Sequence, residues 1–298
     1  YSFFSLYTNL DKFSYAEAEI PLAERPELDR WILSELHTLI QKVDEYYAEY
    51  EPTKAARAIS DFTQDYLSNW YVRLSRRRFW KGDYQTDKIS AYQTLYTCLS
   101  TVAKLSAPIA PFFMDQLYRD LDATTQKDGF ESVHLADFPI FDAGMVNKDL
   151  ERKMQLAQKI SSLVLSIRQK EKIKVRQPLQ KIMIPILDDQ QRKDIEAVSN
   201  LVKSEVNVKE IEMLDAATPL EDRIPDIGRV LALPVEDLLE IGVLDDERSR
   251  QRLVRVDVGR DRFDAGAGAA ADDADRRGGR DRHLAAEAFH RTGFGRVG

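Results

Sequence analysis

The stretch PELDRWILSELHTLIQKVDEYYAEY, residues 26–50, decides the fold. Apolar side chains recur along it at three- and four-residue spacing, from Leu28 through Trp31 to Val43. This spacing places them on one face of an amphipathic helix, and a proline such as Pro26 suits the first turn of a helix. The stretch therefore predicts a long helix with one buried face, which other helices must cover.

The same spacing predicts further helices after residue 50. Pro52 begins a second helix that continues to about Trp80. A third helix starts where Thr86 or Asp87 can cap it, and a short fourth helix follows Pro111. Antiparallel helices joined by short connections indicate a helix bundle.

Beyond the bundle, the pattern changes from helices alone to a helix with strands. A long helix is predicted at about residues 148–171 and a strand at 179–187. A helix at 188–205 with an aspartate cap and a strand at 207–214 follow. This order indicates a small α+β subdomain, with a parallel strand pair if the helix is the crossover. The fold class is therefore expected to be mainly α.

The composition of the chain changes sharply near its end. All 17 lysines lie at or before Lys209, whereas the 52 residues from Glu247 onward hold 12 arginines. Two interpretations stay open for this tail. It is either a flexible charged segment or a product of translation out of frame, since Arg, Gly, Ala and Asp share GC-rich codons.

Composition also excludes several classes of protein. The 298 residues hold 43 Lys and Arg against 50 Asp and Glu, a formal net charge of −7, which argues weakly against bulk nucleic-acid binding. The single cysteine, Cys98, excludes a disulfide framework and a cysteine-rich metal site. No apolar run reaches the length of about 18 residues that a membrane span needs. The four histidines have no metal-ligand spacing, and no catalytic motif is present.

Two basic stretches stand out against the acidic total. The first, NWYVRLSRRRFWK at 69–81, holds five basic residues and no acidic one, and helical spacing places Arg73, Arg76 and Arg77 on one face. Guanidinium groups suit phosphate oxygens, and neighbouring aromatic rings suit unpaired bases. The second is IRQKEKIKVRQP at 167–178. The alternative for both is structural: the arginines pair with acidic residues of neighbouring helices, and the basic helix end is merely solvated.

Five stretches of the sequence carry a family resemblance. They are YSFFSLYTNLD (1–11), RPELDRWILSELHTLI (25–40), LSNWYVRLSRRRFW (67–80), LSAPIAPFFMDQLY (105–118) and IKVRQPL (173–179). In this order they resemble the C-terminal half of the isoleucyl-tRNA synthetases, a family of class I aminoacyl-tRNA synthetases. The resemblance covers about residues 1–215. The same region of a valyl-type synthetase is an alternative, because related enzymes share the bundle.

The resemblance implies a helical anticodon-binding domain taken from a larger enzyme. The full-length family enzyme joins isoleucine to its tRNA with ATP and magnesium, and its catalytic domain carries HIGH and KMSKS motifs. Neither motif occurs in this sequence. We therefore expect a fragment without catalytic and editing domains, with no catalytic residue, cofactor or metal ion of its own, that is inactive alone.

The resemblance also divides the chain into four expected parts. Residues 1–24 would be the linker from the missing catalytic domain, 25–145 the anticodon-binding bundle, and 146–215 the long helix with the α+β subdomain. Residues 216–298 would be the aberrant Arg/Ala/Gly/Asp-rich tail, disordered or out of frame. The departure from the family near residue 215 places the expected change of frame at about 215–222.

The resemblance finally assigns residues to tRNA contact. The bundle would present its basic face to the anticodon arm, with Tyr71 or Trp80 available for stacking, and the second stretch would meet the phosphate backbone. The assigned residues are Tyr71, Arg73, Arg76, Arg77, Arg78, Trp80, Lys81, Lys170, Lys172, Lys174 and Arg176. Expected partners are isoleucine tRNA and the missing catalytic domain, for a cytoplasmic monomer with no membrane contact. The alternative is an orphan helical protein-interaction module without RNA function.

Overall fold

The computed structural model describes residues 1–81, 83–127, 129–186, 188–215 and 230–232. The helices there are α1 Ser2–Asp11, α2 Glu27–Ala48, α3 Pro52–Asp61, α4 Arg73–Trp80, α5 Thr86–Ser106, α6 Pro111–Thr125, α7 Lys148–Lys170 and α8 Asp189–Val206. The strands are β1 Leu179–Ile186, β2 Val208–Asp215 and β3 Val230–Ala232. The expected fold class, a helix bundle followed by a small α+β subdomain, is confirmed. No helix in these ranges is both long and apolar enough to cross a membrane.

Helix α2 forms the centre of the bundle. The side chains of Trp31, Leu36 and Val43 are completely buried along its length. Helices α3, α5 and α7 all contact α2 and so cover its apolar face. The prediction drawn from residues 26–50 is confirmed, because the three- and four-residue spacing does mark the buried face.

A continuous helical stretch runs from Pro52 to Trp80, as predicted, but its middle is π-helical over Phe62–Val72. In a π-helix each N–H group bonds to the carbonyl five residues back, so each turn is wider. The buried side chains accordingly take a five-residue step, from Phe62 to Leu67. Compared with an uninterrupted α-helix, this wider turn changes which side of α4 faces the core.

Helix α5 is buried on most of its sides, including the polar residues Ser90 and Thr94. The cap predicted at Thr86 or Asp87 is wrong. The helix begins at Thr86, directly after Gln85, without a side-chain capping bond. The carboxylate of Asp87 is used elsewhere, in a contact with α4 described below.

The stretch 1–24, expected to be a linker, contains α1 and packs onto α5. The buried ring of Phe13 stacks on that of Tyr92 with 4.7 Å between centroids. The carboxylate of Asp11 accepts a hydrogen bond of 2.6 Å from the Tyr92 hydroxyl and forms an ion pair of 2.6 Å with Lys88. These contacts fasten the end of α1 to the bundle. The boundaries of the four expected parts stay predictions.

The subdomain is a parallel sheet in the order β2-β1-β3 with α8 as the crossover. Ile182 of β1 lies opposite Ile211 of β2. Asp188 caps α8, since its carboxylate accepts a hydrogen bond of 2.7 Å from the N–H of Gln191. The parallel pair and the aspartate cap agree with the sequence-based prediction, whereas β3 lies in the expected tail and was not predicted. The rest of 216–298 lies outside the described residues, so its expected character stays a prediction.

Helix α7 contributes to two hydrophobic cores. Leu150 and Met154 belong to the core of the bundle, while Ile160 and Val164 belong to the core between α7, α8 and the sheet. Trp70 packs against both cores from the π-helical segment. The bundle and the subdomain are therefore joined by shared packing as well as by the chain.

Candidate nucleic-acid interface

Helix α4 turns its basic side chains away from the core. Ser75 and Phe79, one turn apart, are buried, and the Phe79 ring meets that of Tyr92 edge-on at 4.9 Å. The opposite side of a helix then faces solvent. Arg76 and Arg77 lie on that side and are exposed.

Three cations, two on α4 and one directly after it, are uncommitted, by which we mean that no described residue pairs with their side chains. In the part of the chain that the structure describes, no hydrogen bond or ion pair engages the side chains of Arg76, Arg77 or Lys81. Trp80 follows Arg76 by one helical turn, and its side chain is 62% exposed. Guanidinium and ammonium groups beside an open indole ring can bind phosphates and stack on an unpaired base.

Two of the residues assigned to tRNA contact lie inside the bundle instead. The Tyr71 hydroxyl donates a 2.9 Å hydrogen bond to Asp29 of α2, and Tyr71 is completely buried. The guanidinium of Arg78 donates to both carboxylate oxygens of Asp29, at 2.6 and 2.8 Å, and pairs with Asp87 at 3.0 Å. Burial alone would lower the pKa of Arg78, but the hydrogen bonds and charge of Asp29 raise it. In this conformation neither residue can stack on a base or meet a phosphate, so both assignments are corrected.

Arg73 is partly engaged in contacts within the protein. Its guanidinium forms an ion pair with Glu205 of α8 and its Nε donates a 2.7 Å hydrogen bond to the carbonyl of Asn69. The guanidinium also lies 5.6 Å from the ring centroid of Trp70. Its side chain stays 41% exposed, so it can still meet an anion from solvent. The structural alternative thus holds for Arg78 and partly for Arg73, but not for the three uncommitted cations.

The second basic stretch forms the end of α7 and the loop to β1. Lys170, Lys172, Lys174 and Arg176 are all exposed. Arg168, in the last turn of α7, is buried, and its guanidinium donates to four carbonyls, two of the loop and two at the end of α8. The amide of Asn207, which follows α8, donates a further 2.9 Å bond to the carbonyl of Val175. The loop is therefore held from both sides.

The two basic stretches meet at the last turn of α8. Arg73 contacts Glu205 there, and Arg168 contacts the next two carbonyls, those of Val206 and Asn207. We call Arg73, Arg76, Arg77, Trp80 and Lys81 the α4 cluster, and Lys170, Lys172, Lys174 and Arg176 the loop cluster. Both basic stretches are thus tied to three successive residues at one helix end, Glu205, Val206 and Asn207.

Three residues important for this surface were not found from the sequence: Asp29, Arg168 and Glu205. Asp29 and Glu205 are ordinary acidic residues of predicted helices, and only the tertiary contacts give them their roles. Arg168 did carry a signal. It continues the buried spacing of Ala157, Ser161 and Val164 on α7, so a charged residue stands on the apolar face.

Comparison with known proteins gives the family of the chain. A family model described as the anticodon-binding domain of tRNA ligase matches residues 29–183. An isoleucine–tRNA ligase of Bacteroides thetaiotaomicron is 61% identical over 217 residues, which are 73% of this chain and 19% of that protein. The corresponding ligase of Cytophaga hutchinsonii is 60% identical over 215 residues, 72% of this chain and 19% of that protein. The chain spans about a fifth of the length of these curated relatives.

A third relative extends the match along the chain. The isoleucine–tRNA ligase of Dehalococcoides mccartyi strain CBDB1 is 41% identical over 258 residues, 86% of this chain and 25% of that protein. A match of 258 residues is longer than 215, so it continues past the point where the sequence was expected to leave the family. The position of any change of reading frame stays a prediction.

Proposed function

Because the chain belongs to the family of anticodon-binding domains of tRNA ligases, we propose that it binds the anticodon arm of an isoleucine-accepting tRNA. The observation that carries this proposal is the α4 cluster. Arg76, Arg77 and Lys81 are uncommitted cations, and Trp80 presents an exposed ring beside them. The loop cluster adds four exposed cations, and its loop is tied to the same end of α8 as Arg73.

The roles within the surface follow from the chemistry of the side chains. Arginines and lysines neutralise phosphates and release counterions, which gives affinity without sequence preference. The Trp80 ring can stack on an unpaired base of the anticodon loop, whereas the paired stems of a tRNA offer no such base. Tyr71 and Arg78 have no part in this proposal, because both bind Asp29 in the bundle.

We propose binding and no reaction for these residues. The full-length ligase would supply ATP and magnesium chemistry from its own catalytic domain. Among the described residues, no three His, Cys, Asp or Glu side chains are grouped to hold a metal ion, and the sequence contains neither HIGH nor KMSKS. The partners we propose are isoleucine tRNA and the catalytic domain of the same ligase, in the cytoplasm, where tRNA is charged.

The test compares RNA ligands as well as protein variants. The 298-residue chain is titrated with isoleucine tRNA, with its isolated anticodon stem-loop and with its acceptor stem. We expect the stem-loop to retain most of the affinity. Trp80→Ala should weaken stem-loop binding about tenfold, since stacking contributes about 1–3 kcal/mol per base. Stronger binding of the acceptor stem, or an unchanged affinity of Trp80→Ala, would reject the proposal.

A second candidate function, protein interaction, is favoured by one observation. Phe112 and Phe113 at the start of α6 are 90% and 67% exposed, and Ile109 just before them is 42% exposed. Exposed apolar groups of this kind mark surfaces for protein contact. Phe112→Ala with Phe113→Ala should leave tRNA affinity unchanged, and it serves as an aromatic control for Trp80→Ala. A chain without tRNA affinity whose protein contacts depend on these phenylalanines would favour the second candidate.

A further inference from the structure

The guanidinium of Arg168 is enclosed where α7, the following loop and α8 meet. The residue is 1% exposed. Its Nη1 donates to the carbonyls of Lys174 and Gln177, at 3.2 and 3.0 Å. Its Nη2 donates to the carbonyls of Val206 and Asn207, at 2.8 and 3.0 Å. One side chain thus ties the loop to the end of α8 with four hydrogen bonds.

The partners of this buried cation are carbonyl groups rather than carboxylates. Burial lowers the pKa of Arg168, which shows that the surroundings oppose the charge. The carbonyls at the end of a helix carry the negative end of its dipole, so those of α8 offset part of this cost. A hydrophobic side chain would fill the same space without desolvating a charge. The arrangement therefore favours a role beyond filling the core.

The loop that Arg168 holds is the one that carries basic side chains outward. Lys172, Lys174 and Arg176 are exposed, while the carbonyls of Lys174 and Gln177 accept hydrogen bonds from Arg168. Like charges two residues apart in the chain repel one another, and in a free loop this repulsion would spread them. Holding the backbone keeps them together before any ligand arrives, which lowers the entropy cost of binding.

We propose that Arg168 is a positioning residue for RNA binding. It sets the backbone of residues 171–178 so that Lys172, Lys174 and Arg176 meet successive phosphates, and it does not touch the RNA itself. This inference rests on the tRNA binding proposed above. It adds a buried residue that acts only through the loop cluster.

The test separates action through the loop from general loss of stability. The 298-residue chain is titrated with isoleucine tRNA at several KCl concentrations as wild type, Arg168→Lys, the loop variant K172A/K174A/R176A, and the combination of both. Lysine keeps the charge but cannot span four carbonyls from one nitrogen. Arg25→Lys is the matched control. Arg25 is another buried arginine, bonded to the Ile20 carbonyl at 2.9 Å and to Thr94 at 2.8 Å, far along the chain from the loop.

We expect Arg168→Lys to weaken binding about tenfold near physiological salt and to flatten the salt dependence, as the loss of about two phosphate contacts would. Arg25→Lys should keep the wild-type salt slope. In the loop variant, Arg168→Lys should add less than about a twofold loss, since the cations it positions are gone. Wild-type binding by Arg168→Lys, or an equal loss with and without the loop cations, would overturn the inference.

The experiment has two further outcomes. If Arg168→Lys does not fold by circular dichroism, Asn207→Gly replaces it. This change removes only the 2.9 Å bond to Val175, at a backbone φ of 54° that glycine adopts readily. It should weaken binding by a smaller factor with the same flattening, and wild-type affinity would overturn the inference. A wild-type chain without salt-dependent tRNA binding would overturn the proposed function first and this inference with it.

Discussion

Arg73 on α4 forms an ion pair with Glu205 in the last turn of α8. The two residues are far apart in sequence, and the pair joins the bundle to the α+β subdomain beside Trp70, which packs against both cores. The helix that carries the uncommitted cations is therefore fixed to the helix end that also anchors the loop cluster. We expect the proposed tRNA binding to depend on this junction.

The Arg73–Glu205 pair should contribute modestly to stability. Glu205 is 9% exposed but Arg73 is 41% exposed, so solvent screens the interaction. A double-mutant cycle with Arg73→Ala and Glu205→Ala, measured by urea unfolding, should give a coupling free energy of about 0.5–1 kcal/mol. A coupling indistinguishable from zero would show that packing around Trp70 alone holds the junction.

Removal of the Asp29 carboxylate should destabilise the bundle far more. Asp29 is completely buried and accepts hydrogen bonds from Arg78, Tyr71 and Ser90. Asp29→Ala removes the bidentate partner of Arg78 and the acceptor of two buried hydroxyls, which should lower the free energy of unfolding by about 3 kcal/mol. Asp44→Ala, an exposed aspartate on the same helix, is the control and should cost less than about 0.5 kcal/mol. Equal losses for the two variants would refute the role given to Asp29.

The stability of the bundle should fall as the pH rises toward neutrality, because of Glu35. Burial, and then the charge of Glu151, raise the pKa of Glu35 from its usual value of 4.5 to about 7. A raised acid pKa means that the folded state binds more protons than the unfolded state between these values. Stability from Glu35 is thus present below about pH 4.5 and lost as the pH rises through about 7, by at most about 3 kcal/mol.

Glu35→Gln isolates this effect from other titrating groups. Burial lowers the pKa of His37, so that residue opposes Glu35 by adding stability as the pH rises toward its unfolded value. Hydrogen bonds from Lys148, Ser34 and Thr38 lower the pKa of Glu151 despite its burial. Its contribution to stability therefore changes with pH only below about pH 4.5. We expect the stability of Glu35→Gln relative to wild type to increase between pH 5 and pH 8 in urea titrations. A difference that does not change with pH would contradict the assignment.

The sequence was informative wherever local spacing decides structure. The apolar spacing around Trp31 and Leu36 marked the buried face of α2, and Asp188 marked the start of α8, because a helix and its cap depend on near neighbours. The π-helical turns from Phe62 onward and the pairing of β3 with β1 were missed. Both depend on packing between elements, which single-sequence spacing does not contain.

Packing between elements also explains why the prediction for the stretch 69–81 was only partly correct. The stretch 69–81 did identify the helix with uncommitted cations, but it did not separate Arg77 from Arg78. These neighbours differ by about 100° around the helix, which turns one outward and the other toward Asp29. The distinction requires knowing where α2 lies. Family resemblance could only indicate the region, and its assignment to tRNA contact stays a prediction, whereas the contacts within the protein required the tertiary structure.

The dependence of tRNA affinity on salt tests the central claim most directly. The dissociation constant for isoleucine tRNA is measured over a KCl series for wild type, for R76A/R77A and for R57A/R119A, which removes the same charge from α3 and α6. If Arg76 and Arg77 each meet a phosphate, R76A/R77A should reduce the slope of log affinity against log salt by about 1.5, and R57A/R119A should leave it unchanged. Equal slopes for wild type and R76A/R77A would contradict the claim that α4 binds tRNA.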